Sequence, residues 1–208
     1  MKNPGDYMAI KNFELGELAF DYNPDHVYNT WKHSMEGVLD DDEEYDEWDG
    51  IGCNRQFAPL DRLGVEQLRE LCIIESQHLH DIEEGHMTIL AFNEAEDEAI
   101  SDGRSEPHVI LDLGVRSTVM ALLEIGAYPF SSCNGGSFHD DDRHTESYPL
   151  VAMYGDNDVL DKVEQAAKRS GCGLYGTQDI TGIGALVLYT NNIRNFSRMT
   201  FQLLELLE

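Results

Sequence analysis

The sequence predicts an α+β protein whose sheet is mixed or antiparallel, with helices packed mainly on one face. Two observations lead to this prediction. Apolar residues make up 41% of the 208 residues, which is enough for a sizeable core. In the second half, segments of helical periodicity and short apolar segments follow one another as helix–strand–strand–helix–strand–strand–helix.

The charge is strongly acidic and unevenly distributed. The chain has 14 Lys and Arg against 40 Asp and Glu, a formal net charge of -26. Residues 1–107 hold 27 acidic and 7 basic residues, whereas residues 108–208 hold 13 and 7. We therefore predict an acidic N-terminal region, 1–107, and an α+β region, 108–208, with one continuous domain as the alternative. Direct nucleic-acid binding is disfavoured, because phosphate contacts require Lys and Arg.

The cysteines and the apolar runs predict a cytoplasmic protein with no membrane partner. Cys53, Cys72, Cys133 and Cys172 are far apart and form no Cys-x-x-Cys pair, which is typical of a reduced environment. The N-terminus lacks the apolar core of a signal peptide. No apolar run approaches the roughly 20 residues that cross a bilayer.

The first elements are predicted from alternation and from a helix start. Alternating apolar and polar residues favour a strand or hairpin within 7–22. Asn23-Pro24 then offers a helix start, because proline suits the first helical position. Trp31 follows at helical spacing and is assigned to the core.

Residues 61–83 form the clearest helix of the first half, with Asp61 as its cap and one apolar stripe. Glu75 and His78 on that stripe match the Glu-x-x-His unit of di-metal bundles. No second unit occurs, so we assign Cys72 and His78 to the core or its edge. Met87–Phe92 is predicted as a buried strand, and 93–107 as a loop.

An acidic run from 40 to 49 contains eight carboxylates and two aromatic residues. Such a run repels itself and is predicted as a loop. Its spacing lacks the central glycine and following glutamate of a calcium loop. The alternatives are a solvated loop or a surface that binds a basic partner through Asp40, Asp41, Asp42, Glu43, Glu44, Asp46, Glu47 and Trp48.

The second half is predicted element by element. Four strands are expected from their apolar composition: Tyr128–Ser132, Tyr148–Tyr154, Cys172–Tyr175 and Ala185–Thr190. His108–Leu113 is expected as a short apolar strand or a helix lead-in. Three helices are expected from caps and periodicity: one from Ser117 to Gly126, one from Asp156 or Asn157 to Gly171, and one from Asn192.

The candidate site is the turn formed by Ser131, Ser132, Cys133, Asn134, Gly135 and Gly136. Glycine permits positive φ and the close approach of a ligand, and successive amides can hold an anion. A phosphate, a carboxylate or a nucleotide-like molecule would suit such a turn, with Arg116 or Arg143 as countercharge. The alternative is a tight turn with a purely structural role, since Asn-Gly is common in hairpins.

Cys133 lies close in sequence to His139 and His144. Zinc accepts a set of this kind, although Cys-x5-His-x4-His is not a recognised zinc motif. Cys133 is also a candidate nucleophile, with either histidine as its base.

The stretch Ser131-Ser132-Cys133-Asn134-Gly135, followed by Pro149–Tyr154, Leu160–Ser170 and Gly171–Gly176, resembles the wybutosine-synthesising tRNA methyltransferase family. The resemblance covers roughly residues 108–208 and is specific at the Ser-Ser-Cys-x-Gly turn. It implies an α+β fold with a cleft beside 131–136 and S-adenosylmethionine as ligand. Gly136 stands where a basic residue is expected, and the region has no basic face for tRNA. The turn also resembles Ser-Cys-x-Gly turns in small bacterial and phage proteins.

Two functions follow as hypotheses. The first is a small-ligand binding or processing domain centred on residues 131–136, whose ligand is an anionic small molecule. The second is an acidic protein that binds a basic protein through 40–49 and 94–106, as immunity proteins and nucleic-acid mimics do.

Overall fold

The chain folds into five α-helices and one open, mixed, five-stranded sheet, counted over the described residues. The structure is a computed structural model and describes residues 10–25, 27, 62–103, 107–138, 146–177 and 184–208. The elements are β1 (Phe20–Asp21), α1 (Val65–Glu83), α2 (Ile89–Ser101), a 3-10 helix (Pro107–Ile110), α3 (Arg116–Glu124), β2 (Tyr128–Cys133), β3 (Leu150–Tyr154), α4 (Asn157–Ser170), β4 (Gly173–Gly176), β5 (Leu186–Tyr189) and α5 (Arg194–Glu205).

The strand order is β1-β4-β5-β3-β2. Strand β1 runs parallel to β4, and the other neighbours are antiparallel. The sheet is therefore mixed, and the predicted α+β class is confirmed. Four of its five strands come from the second half of the chain, as the apolar segments there predict.

The two faces of the sheet differ in what covers them. Val151, Met153, Leu174, Leu186 and Leu188 point to one side, where they join a core cluster with side chains of α1, α3, α4 and α5. We call this the helical face. Residues that alternate with them point to the other side. On that side, no side chain from a described helix joins the cluster of buried residues.

The second face carries the smaller cluster of Leu150, Ala152, Val187 and Tyr189, with Phe130, Tyr148 and Tyr175 packed against it. Tyr154 belongs to the same side by alternation along β3 and stacks on Phe130. We call this set the aromatic face. Helices on one side and aromatic rings on the other confirm the predicted layering.

Several local predictions about helix ends are confirmed. The Asp156 carboxylate accepts the backbone N–H of Val159 at 2.9 Å, and α4 ends at Gly171 in the left-handed conformation. The Asn192 side chain accepts the N–H of Arg194 at 2.9 Å, although the cap position of α5 is Ile193, one residue later than predicted. Asn23 likewise accepts the N–H of Asp25 at 3.0 Å. Short polar side chains satisfy amides that have no partner within the helix.

The predictions for 87–107 were wrong. Met87–Phe92 is not a strand, and most of 93–107 is not a loop, because helix α2 spans Ile89–Ser101. Thr88 caps this helix by accepting the N–H of Ala91 at 3.1 Å. Leu90 is 62% exposed, whereas a buried strand would enclose it. A short, mostly apolar segment has the same pattern in a buried strand and at the start of a helix.

Two further predictions required correction, and one is confirmed in part. Of the strand or hairpin expected within 7–22, the described residues contain the short strand Phe20–Asp21. Helix α1 begins at Val65, and its cap is Gly64, whose N–H donates to the side chain of Gln67 at 3.1 Å. Ser117 lies inside α3, which begins at Arg116. Asp61 and Trp31 are outside the described residues.

The core contains side chains from both of the regions that differ in charge, 1–107 and 108–208. Leu68 and Leu79 of α1 are fully buried in one cluster with Val119 of α3 and Leu203 of α5. No helix of the described ranges has the length and apolar composition that crossing a membrane requires.

Candidate functional site

The turn after β2 is held by backbone contacts. Gly135 and Gly136 both have a φ of 63°, a conformation that favours glycine. A Cβ on Gly135 would lie 2.0 Å from the carbonyl carbon of Tyr148. The turn therefore packs directly on the segment that leads into β3, and this packing explains why glycine is needed there.

The amides of this turn point inward. Asn134 donates its N–H to the Asp112 carboxylate at 3.1 Å, Gly135 to the Cys133 sulfur at 3.2 Å, and Gly136 to the Asn134 side chain at 2.9 Å. Asn134 is 2% exposed. An anion would have to displace these acceptors, including a carboxylate, so this conformation favours the structural role of the turn.

Arg116 is occupied elsewhere. Its guanidinium forms a two-point ion pair with Glu96 of α2, and its Nε donates to the carbonyl of Leu111 at 2.6 Å. It also lies over the ring of Phe92, 5.4 Å from the centroid. Arg116 therefore anchors α2 to the start of α3, and its charge is already paired.

Glu75 caps α3 from a different helix. This carboxylate is 2% exposed and accepts the N–H groups of Gly114 at 2.7 Å, Arg116 at 3.0 Å and Ser117 at 3.1 Å. The Ser117 hydroxyl also donates to it. Negative charge at a helix N-terminus is favourable. Sequence analysis missed this role, because the contact joins residues about 40 positions apart.

The other residues of the α1 stripe behave as core residues. Cys72 is fully buried and donates to the carbonyl of Ser197 at 3.4 Å. Burial raises the pKa of the Cys72 thiol to about 11 and that of Cys172 to about 12, so neither is ionised at neutral pH. His78 packs edge-on against Phe92 at 5.0 Å. The predicted core or edge role of Cys72 and His78 is confirmed.

The strand register places two of the predicted site residues on the aromatic face. Ser131 is paired with Ala152, and Cys133 with Leu150, and paired residues of neighbouring strands point to the same side. Ser132 is paired with Val151 and therefore points to the helical face. A register shift between Pro129 and Ser131 brings Phe130 to the aromatic face as well.

The rings of the aromatic face contact one another. Phe130 and Tyr154 stack with centroids 4.7 Å apart, and Tyr189 meets the edges of Tyr148 and Tyr175 at 5.9 and 5.4 Å. The hydroxyls of Tyr148 and Tyr175 are 3.2 Å apart. Burial, followed by the bond to Tyr148, raises the pKa of Tyr175, so its hydroxyl stays protonated at neutral pH.

An N-terminal segment crosses the aromatic face. We call residues 11–19 the strap. Its Leu15 and Leu18 pack against the aromatic cluster, and the N–H of Ala19 donates to the Tyr189 hydroxyl at 2.9 Å. The rings, Ser131 and Cys133 on the same face, and the strap together form the candidate site. Sequence analysis named Ser131 and Cys133 but missed the rings and the strap, although tyrosines at or beside the ends of three strand segments were a visible signal.

Many predicted site residues lie outside the described residues. These are His139, His144 and Arg143, and the acidic run of Asp40, Asp41, Asp42, Glu43, Glu44, Asp46, Glu47 and Trp48. The zinc site, the catalytic role of Cys133 and the acidic docking surface therefore stay predictions.

Within the described ranges, one group of three side chains has ligand atoms close enough to share a metal ion. It consists of His80, Glu83 and Glu84, whose ligand atoms all lie within 4.8 Å of one another. All three are exposed, and Glu83 forms an ion pair with Arg194.

Comparison of the chain with protein-family models, with curated proteins and with solved structures finds no match. The function is therefore argued from the site alone.

Proposed function

We propose that the aromatic face binds a small molecule with a flat, apolar group. The observation that supports this most directly is the position of Ser131 and Cys133. The strand register places both on the face of the sheet that carries the aromatic rings and that no described helix covers. The rings are Phe130, Tyr148, Tyr154, Tyr175 and Tyr189.

The chemistry of these groups suits a flat ligand. Aromatic side chains offer large apolar surfaces with little conformational freedom to lose, and they favour stacked or edge-on contact with another ring. The Ser131 hydroxyl and the tyrosine hydroxyls can donate and accept hydrogen bonds. Apolar walls with a few polar groups are the usual composition of a small-molecule site.

The charges of the protein limit the class of ligand that the aromatic face can bind. The turn amides and Arg116 are engaged within the protein, and the chain has a net charge of -26. A neutral or cationic ring compound is therefore favoured over the anionic ligand that the sequence suggests. S-adenosylmethionine, which the sequence resemblance implies, joins an adenine ring to a sulfonium cation and belongs to this class.

The test compares ring compounds of different charge. Adenosine, S-adenosylmethionine and the flat cationic dye thioflavin T are titrated against the protein by calorimetry, with ATP as the anionic counterpart. We expect binding of at least one of the first three and weaker binding of ATP.

A pair of phenylalanine variants locates the site. Phe130→Ala removes half of the stacked pair, whereas Phe20→Ala removes an exposed ring of β1 that lies beside Lys168. We expect about a tenfold loss of affinity for Phe130→Ala and no change for Phe20→Ala. Absence of binding by all three ring compounds, or equal affinity in the two variants, would contradict the proposal.

A second candidate function is the binding of a basic protein through α2. Glu94, Asp97 and Glu98 are exposed on this helix, next to Leu90 and Ile100, which are 62% and 44% exposed. Exposed apolar residues within an acidic surface suit a basic partner with apolar anchors.

This candidate is tested with a synthetic amphipathic helix of leucine and lysine. Glu94→Gln, Asp97→Asn and Glu98→Gln together remove three charges from α2. The matched control, Asp158→Asn, Asp161→Asn and Glu205→Gln, removes three exposed charges from α4 and α5. We expect weaker peptide binding for the first set alone. Equal loss in both sets would mean general attraction to an acidic protein and would exclude α2 as a docking site.

A further inference from the structure

The strap is fastened at its ends. Near its start, Lys11 donates its N–H to Ser137 at 2.9 Å, and Phe13 donates to Asn191 at 2.8 Å. At its other end, Ala19 donates to the Tyr189 hydroxyl at 2.9 Å and accepts the N–H of Leu174 at 2.8 Å. Backbone contacts therefore hold the strap on both sides of residues 14–18.

The middle of the strap is held differently. Across the described ranges, the backbone of residues 14–18 forms one hydrogen bond, a local one from the N–H of Leu15 to the carbonyl of Phe13 at 3.1 Å. Glu14, Gly16 and Glu17 are exposed. Gly16 has a φ of 73°, and no atom lies within 4 Å of the place where its Cβ would be. Leu15 and Leu18 are half-buried, and their contact with the aromatic cluster is what keeps this segment on the sheet.

These two leucines lie where a flat ligand would sit. They pack on the cluster of Leu150, Ala152, Val187 and Tyr189, whose members are at most 9% exposed. A ligand that reaches the same apolar surface must therefore replace the leucine contacts. Since residues 14–18 are joined to the sheet by side chains and are anchored at both ends, they can lift without disturbing the strand pairing.

We propose that residues 14–18 are a gate that closes the aromatic face in the free protein and opens when ligand binds. This inference rests on the proposed function of that face. Leu15 and Leu18 compete with the ligand for one surface, so the closed gate lowers the apparent affinity by the fraction of molecules that are open.

The gate can be followed by limited proteolysis, because Glu14 and Glu17 are cleavage sites for a glutamate-specific protease. Cleavage after Glu17 is measured by mass spectrometry with and without thioflavin T. If the ligand displaces the gate, cleavage becomes faster when dye is bound. If the segment instead closes over the ligand, or if binding occurs elsewhere, cleavage becomes slower or stays constant, and the proposal fails.

A matched pair of variants separates the gate from the site beneath it. Leu15→Ser with Leu18→Ser removes the contacts with the face, and Glu14→Ser alters an exposed position of the same segment. We expect the leucine variant to be cleaved after Glu17 about tenfold faster without dye and to bind thioflavin T more tightly, since the competing contacts are gone. The exposed-side variant should bind dye as the wild type does.

The two proposals fail in different ways. Suppose that neither the wild type nor any variant binds the dye or the other ring compounds, and that the leucine variant is cleaved faster. The proposed function then fails, and the closed gate stands. If the leucine variant is cleaved at the wild-type rate, the gate is overturned, whatever the dye does.

Discussion

The two faces of the sheet are built from different side chains. Met153, Leu174, Leu186 and Leu188 on the helical face are fully buried and purely apolar. The aromatic face has rings with hydroxyl groups, several of them half-buried, beneath a strap rather than a described helix. Aliphatic side chains stabilise the fold through burial alone. Rings with hydroxyl tips stabilise it too, but they also offer stacking surfaces and hydrogen-bonding groups, and this difference is the basis of the function that we propose for the aromatic face.

The largest loss of stability is expected from a change at Glu75, among the helices that cover the helical face. Glu75→Ala leaves three backbone N–H groups at the start of α3 without their acceptor. We expect a loss of about 3 to 5 kcal/mol in the free energy of unfolding, measured by urea denaturation. Glu66→Ala, at an exposed position of the same helix, should change stability by about 0.5 kcal/mol or less. A loss near that of the control would show that water can replace the carboxylate.

Two glycines test whether the turn and the strap differ in rigidity. Gly135→Ala and Gly16→Ala both force an alanine to adopt a positive φ, of 63° and 73° respectively. That conformation costs roughly 1 kcal/mol. At Gly135 the new Cβ also meets the backbone of Tyr148, so we expect about 2 to 3 kcal/mol in all. Thermal unfolding measures both changes. Equal losses would indicate that the strap is packed as tightly as the turn.

The ionisation of two tyrosines, one on each side of the sheet, should lower the free energy of unfolding at alkaline pH. Burial raises the pKa of Tyr175 on the aromatic face and of Tyr22, which packs against the core of the helical side. The folded state then holds protons that the unfolded state releases near its pKa of 10.0, so stability falls as the pH rises above about 10.

Tyr175→Phe and Tyr22→Phe should each make this loss of stability with pH less steep. Unfolding by urea at a series of alkaline pH values measures the slope. If the slope of Tyr175→Phe equals that of the wild type, the Tyr175 hydroxyl is hydrated in the folded protein. That result would make the aromatic face more open than the structure indicates.

The smallest effect is expected at the surface of α4. Lys168 pairs with Glu164 one turn away, and this pair together with the Tyr22 bond lowers the pKa of Glu164. Its contribution is therefore present above the unfolded pKa of 4.5 and is lost as the pH falls through the lower folded value. Lys168→Met should cost about 0.3 to 0.5 kcal/mol near neutral pH, because both side chains are partly exposed. Urea titrations at pH 7 and pH 3 check this, and a larger effect would indicate a network.

Local patterns predicted much of the second half. The cap Asp156 and the stop at Gly171 depend on neighbours in sequence, and both are found. Asn192 accepts the N–H of Arg194 as a cap would, but it lies one residue before the cap position, Ile193. Helix α2 was mistaken for a strand and a loop, because its stability depends on the burial of Phe92 and on the ion pair between Arg116 and Glu96. Those contacts are set by tertiary packing, which a short, mostly apolar segment does not reveal.

The candidate site was predicted only in part. Ser131 and Cys133 were named, but the rings around them come from separate strands and meet only once the register is known. The amides of Asn134, Gly135 and Gly136 were predicted to face a ligand, whereas they face acceptors within the protein. A sequence shows which residues can form a turn, and it does not show in which direction the turn's N–H groups point.

The two edges of the described sheet carry a consequence for self-association. At one edge, β2 contains Pro129, which has no N–H, and a register shift that bends the strand. At the other, β1 is two residues long and ends in Asp21. Each feature discourages a strand of another molecule from adding to the sheet. A protein whose second sheet face carries half-buried rings is thereby guarded against growing into fibrils through its backbone.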